Sequence, residues 1–145
     1  MLVEIRATPF NPLEELARHQ ESLAALRGRY GATASFVGTM RDHNEGEPVR
    51  AMTLEHYPGM TEKHLHEIAE SACGKWNLID TLIIHRVGRI EIGDPIVLVA
   101  TWSAHRKEAF EACRAMMEDL KSRAPFWKQE ETEQGKRWVD KNTPG

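Results

Sequence analysis

The run IVLVATW, Ile96 to Trp102, is the most apolar stretch of the chain, and the rest of the fold can be read outward from it. Residues of that kind predict a strand set in the middle of a sheet, buried on both faces. Residues 105–123 then bring Ala109, Phe110, Cys113, Met116, Met117 and Leu120 round at helical spacing, which predicts a long helix with that stripe buried. Pro125 stops it. Beyond it, FWKQEETEQGKRWV reads as two short strands joined around Glu133-Gln134-Gly135. Helices and hairpins mixed in one short chain mean an α+β fold.

Toward the amino end the pattern continues. Pro95 with Gly93-Asp94 marks a turn, and LIIHRV within Leu78 to Val87 predicts a strand. Met60 to Trp76 places Leu65, Ile68, Ala69, Ala72 and Trp76 on one helical face. Met52, Leu54 and His56 alternate with Ala51, Thr53 and Glu55, as a strand does. The stretch RDHNEGEP, Arg41 to Pro48, reads as a polar loop, and GATASFVGTM, Gly31 to Met40, as a buried strand. Asn11 caps a helix opened by Pro12, with Leu13, Leu16, Ala17, Leu23 and Leu26 recurring until Gly28 ends it. The order is α, β, β, α, β, β, α and a carboxyl-terminal hairpin, with no repeats or linker, so residues 1–145 are expected to form one domain.

Composition removes several classes of function. Of the 145 residues 41% are hydrophobic and 28% charged, which suits a packed core better than disorder. A formal charge of −3 argues against nucleic-acid binding. No apolar run approaches the roughly 18 residues that cross a bilayer. The opening MLVEIRATPFNPLEEL carries Glu4 and Arg6 where a signal peptide needs an uninterrupted apolar stretch. Cys73 and Cys113 lack CxxC spacing and fall on apolar helical faces, as small buried hydrophobes do. These features together predict a cytoplasmic protein in a reducing compartment.

Charge is unevenly placed. Residues 121–145 hold six basic side chains (Lys121, Arg123, Lys128, Lys136, Arg137, Lys141) against four acidic, while the rest of the chain is acidic in balance. A locally cationic end on an acidic protein attracts a small anion without gathering polyanions. No metal site is expected, since His64 and His66 point apart on a helix and HExxH is absent. There is no nucleophile elbow and no glycine-rich phosphate loop. There remains a set of cations at element boundaries. Arg41 closes a strand, His105-Arg106 opens the long helix, and Lys121 and Lys128 flank its stop with Phe126-Trp127 between them. Taken singly, each is accounted for by solvation, by the helix dipole or by a strand edge. Together they suggest a pocket for a planar anion.

At these residues the chain resembles the large, catalytic subunit of molybdopterin synthase over nearly its whole length. The resemblance is carried by SFVGTMR (35–41), IHRVG (84–88), SAHRKEAF (103–110), LKSRAPFWKQE (120–130) and GKRWV (135–139). It implies an α/β hammerhead-type fold, a mixed sheet with about three helices, and a homodimer at the centre of a heterotetramer. It implies insertion of two sulfurs into cyclic pyranopterin monophosphate. The sulfur donor would be a thiocarboxylate on the Gly-Gly terminus of a small ubiquitin-like partner, with no metal or other cofactor. Carried over by residue, Lys121 and Lys128 would be catalytic, beside the thiocarboxylate and the reacting carbons respectively. Gly38, Thr39 and Arg41 would line the pterin-phosphate pocket, His105 and Arg106 would bind its anionic end, and Gln129 and Glu130 would lie near. The rival readings are a non-catalytic module that holds an anionic metabolite and a pure interaction subunit.

The spacing adds one constraint of its own. Fifteen helical steps at about 1.5 Å separate Arg106 from Lys121 by about 22 Å, so one pterin cannot touch both. Either the helix breaks or two copies of the chain share a site. With no Pro or Gly within 106–121, the shared site is favoured.

Overall fold

The computed structural model of the protein describes residues 1–139, so Lys141 lies outside the described residues. The apolar run forms β7 (Pro95–Ser103), with a strand paired on each side. Around it a mixed four-stranded sheet runs in the order β1 (Leu2–Arg6), β5 (Asp80–Arg86), β7, β2 (Ala32–Thr39). β1 lies parallel to β5, and the other pairs are antiparallel. Every residue of β5 is buried because helices cover both faces. On one face Phe10, Leu23 and Leu16 of α1 (Pro12–Ser22) pack on Leu82, Ile84, Leu98 and Trp102. On the other, α2 (Met60–Trp76) and α3 (Arg106–Arg123) pack Leu65, Ile68, Cys113 and Met116 on Ile83 and Val99. No helix among the described residues is long and apolar enough to cross a membrane.

A second sheet runs β3 (His43–Asn44), β4 (Glu47–His56), β8 (Phe126–Thr132), β9 (Gly135–Val139), and β6 (Gly88–Glu91) also pairs with β4. Its core is small: Met40, Val49, Met52, Leu54 and Ile90. The buried hydroxyl of Thr61, at the start of α2, fastens the two sheets' elements together. It donates to the carbonyl of Pro125 (3.0 Å) and accepts from the amide of Tyr57 (2.9 Å), so the entry to β8 is fixed against α2.

The structure departs from the sequence expectations where local pattern is outweighed by pairing. β1 and β6 were not anticipated. β1 pairs with a strand about eighty residues away, which no local window reveals. The polar loop 41–48 tightens into a hairpin, with Glu45 (φ 53°) and Gly46 (φ 78°) forming the turn. β2 is an edge strand, so Phe36 and Val37 are exposed and not buried. α1 stops at Ser22 and the chain continues as a single 3₁₀ turn over Ala24–Leu26; Gly28 (φ +88°) comes after that turn. No residue of α1 is fully buried and Leu13 is 71% exposed, while Phe110 lies outside the buried stripe of α3, at 68% exposure. Phe110 stands about 100° round the helix from Ala109, which takes the inward position.

Candidate active site

Between the two sheets, at the carboxyl end of α3, lies a cavity of about 550 Å³. Three elements deliver its cations: Arg41 from just beyond β2, Lys121 from the last turn of α3, and Lys128 from β8. Local structure explains each placement. β2 slips register between Gly38 and Thr39, and a side chain at Gly38 would put its Cβ 2.9 Å from Val97 Cγ1 and 3.3 Å from Phe36 Cε1. The backbone of buried Met40 then bonds both ways to the turn before β7: its amide donates to Asp94 O and its carbonyl accepts from Gly93 N, each at 2.9 Å. That anchor presents Arg41 at the cavity. On β8 the two-residue period turns Phe126, Lys128 and Glu130 into the cavity.

The same period separates neighbours that the sequence places side by side. Gln129 is absent from the cavity lining, because it alternates with Lys128 and Glu130 and pairs with Thr53 and Trp138. The pair Phe126-Trp127 is split: Phe126 stacks on His85 (centroids 4.0 Å, 16°), whereas Trp127 is 43% exposed and lies against Tyr57.

Crowded cations make the site electrostatically uneven. Burial of its ammonium lowers Lys121 to about 8, and the charge of Lys128 pushes the same way while Glu118 opposes it. Burial also lowers Lys128, with Arg41 adding to the effect and Glu130 opposing it. Lys121 is exposed along part of its side chain and stands at the cavity rim. His85, buried beneath Phe126, is held down to about 4, chiefly by desolvation, so its ring is neutral near pH 7.

Glu130 lines the cavity and is also bound by its neighbours. Its Oε1 accepts from Arg137 Nε (3.2 Å) and Nη2 (3.1 Å) and from Asn44 Nδ2 (3.3 Å). Arg137 in turn donates to Glu47 Oε2 (2.6 Å) and to the carbonyl of Asn44 (3.2 Å). The buried carboxylate therefore straps the β3–β4 hairpin to β8 and β9 at the cavity wall.

His105 and Arg106 are elsewhere. α3 is continuous from Arg106 to Arg123, so they sit at the end opposite Lys121, exposed and outside the cavity of their own chain. His105 occupies the N-cap position without a side-chain capping bond. The structure thus gathers Gly38, Thr39, Arg41, Lys121, Lys128 and Glu130 and leaves His105, Arg106 and Gln129 apart. It adds His85, Phe36 and Met117, for which the sequence reading had assigned no role at the site. A histidine following the apolar run Leu82-Ile83-Ile84 in a buried strand was the available signal for the first.

Comparison with known proteins agrees with this arrangement. The family model described as MoaE protein matches residues 7–123. The molybdopterin synthase catalytic subunit of Ralstonia nicotianae is 56% identical over 126 residues, covering 87% of this chain and 72% of that one. The crystal structure of molybdopterin synthase from Staphylococcus aureus superposes with a TM-score of 0.84 at 32% identity, covering 96% of this chain and 97% of that chain. A protein–protein complex of subunits 1 and 2 of molybdopterin-converting factor from Helicobacter pylori shares the fold, with a TM-score of 0.78 at 22% identity over 98% of this chain and 92% of that one. A cavity walled by cations from three elements, on this α+β frame, accompanies sequence identity above one half; the chain belongs to the MoaE family, the catalytic subunits of molybdopterin synthase in molybdenum cofactor biosynthesis.

Proposed function

We propose that the cavity carries the transfer of sulfur to cyclic pyranopterin monophosphate, forming the dithiolene of molybdopterin within a single catalytic domain of residues 1–145. The observation that carries this reading is the convergence of Arg41, Lys121 and Lys128 on one cavity. Both reactants are anions, a cyclic phosphate and a thiocarboxylate, and bringing them together needs fixed positive charge in a walled site. Arg41 holds phosphate with a planar fork and keeps its charge. Lys121, lowered to about 8, remains largely protonated at pH 7 yet gives up a proton readily, which suits a general acid for the leaving oxygen. Lys128 stands deeper, beside the reacting carbons.

The sulfur arrives on a small ubiquitin-like partner, in keeping with the two-subunit complex known from Helicobacter pylori. A Gly-Gly terminus lacks side chains and fits a narrow approach to the cavity. The hairpin of β8 and β9, with Trp127 and Trp138 exposed at 43% and 58%, is the docking surface. An unbroken α3 supports a site shared across a homodimer within a heterotetramer, in which His105 and Arg106 of one copy reach the cavity of the other. Free Cys73 and Cys113 accord with a cytoplasmic enzyme. The test is incubation of the chain with a thiocarboxylated partner and the pyranopterin. Formation of the dithiolene is expected; binding without product would identify a passive anion-holding module instead.

A further inference from the structure

His85 lines the cavity and has no part in the chemistry above. Its Nδ1 lies 2.8 Å from the carbonyl oxygen of Arg86. A carbonyl only accepts, so Nδ1 carries the hydrogen and donates it. With the ring neutral, the other nitrogen is left with a bare lone pair. Nε2 has no hydrogen-bond partner among the described residues, nor is it among the fully buried atoms that lack one, so it meets the open space of the cavity. Stacking on Phe126 and burial within β5 fix the ring plane and hence the direction of that lone pair.

The surroundings give this acceptor its meaning. Arg41, Lys121 and Lys128 offer donors only. The carboxylate of Glu130 already serves Arg137 and Asn44 through Oε1. A phosphate or thiocarboxylate has no use for a rigid neutral acceptor, but a heterocycle that carries N–H groups does. We propose that His85 is a substrate-contacting residue whose Nε2 accepts an N–H of the reduced pterin ring and so fixes which edge of the heterocycle faces the lysines. This rests on the functional reading above, and it adds a ring-reading subsite to the phosphate- and sulfur-handling cations.

The experiment compares the full chain with His85→Asn and His85→Gln. Asn keeps an N–H near Nδ1 and loses the distal acceptor; Gln places an amide oxygen near Nε2. Binding of two probes, a tetrahydropterin lacking phosphate and inorganic phosphate, is measured beside KM and kcat in the complete sulfur-transfer reaction. In His85→Asn tetrahydropterin affinity is expected to fall about tenfold, with KM rising in step and phosphate affinity unchanged, and His85→Gln is expected to recover most of the loss. Undiminished tetrahydropterin binding by His85→Asn overturns the proposal, as does equal loss of both probes, which marks general damage. If wild type turns the pyranopterin over and His85→Asn matches it, only the role of His85 falls. If wild type neither binds tetrahydropterin nor forms product, the functional reading falls and takes the proposal with it.

Discussion

The two ends of α3 carry the same kind of charge and lead different lives. At the carboxyl end Lys121 stands at the rim of a cavity that it shares with a second lysine, and burial of its ammonium, with the charge of Lys128 adding, lowers it to about 8. At the amino end His105 and Arg106 stand exposed, with an uncommitted cap and outside the cavity that holds Lys121. One end is walled into a cavity; the other is open to solvent. Desolvation works on Lys121 and Lys128 at the cavity, while His105 and Arg106 lie open to solvent.

This contrast is most exposed to refutation at the walled end. Lys121→Ala and Lys128→Ala are each expected to reduce sulfur transfer by at least about a hundredfold, with the circular dichroism of the fold retained. Wild-type turnover by either variant would end the role assigned to it. Next comes complementation between the ends. In a twofold dimer with shared sites, mixing Arg106→Ala with Lys121→Ala gives random mixed dimers with one intact site each, hence about a quarter of wild-type activity from two inactive proteins. No recovery would place both residues in separate sites.

A third test reads the proton. With Lys121 as acid, kcat/KM is expected to fall about tenfold per pH unit above about 8, the value set by its burial and by Lys128. Lys121→Arg should move that limb upward, and Arg106→Lys should leave it in place. The smallest effect concerns stability. Lys121 is lowered from 10.5 in the folded state, so below about 8 it is charged whether folded or not, and folding must then desolvate the charge. Stability therefore rises between about 8 and 10.5, where the unfolded chain still binds the proton. Lys121→Met is expected to raise the urea midpoint at pH 7, with the gain disappearing above 10.5, while Arg106→Ala changes unfolding by less than about 0.5 kcal/mol.

The helices and the central strand were legible because they are periodic and locally complete. Met60 to Trp76 was read to the residue, and Asn11 caps α1 through Oδ1 to the amides of Leu13 (3.0 Å) and Glu14 (3.3 Å) as its type and place suggest. β1 and β6 were hidden, since their partners are distant and their residues do not alternate cleanly. The burial of β2 was overstated for a related reason: small apolar residues fit an edge as well as a centre. At the site, motif residues on one element were found and their facing was not. Gln129 adjoins Lys128 in the chain but points away from it, and the hold of Glu130 on Arg137 and Asn44 at the cavity wall was not visible from its position beside Gln129. His85 escaped because the value of its ring depends on a backbone carbonyl that only folding brings to Nδ1.

The continuity of α3 sets a rule for how this chain can change. Substitutions along its outer face cost little, but a single inserted residue between 106 and 121 would turn the last turns by about 100° and advance them by about 1.5 Å. Lys121 would swing off the cavity rim while Arg106 stayed where it is, and no repacking of the sheet could return it. The length of this helix is therefore a fixed ruler, far less free to change in residue count than in composition.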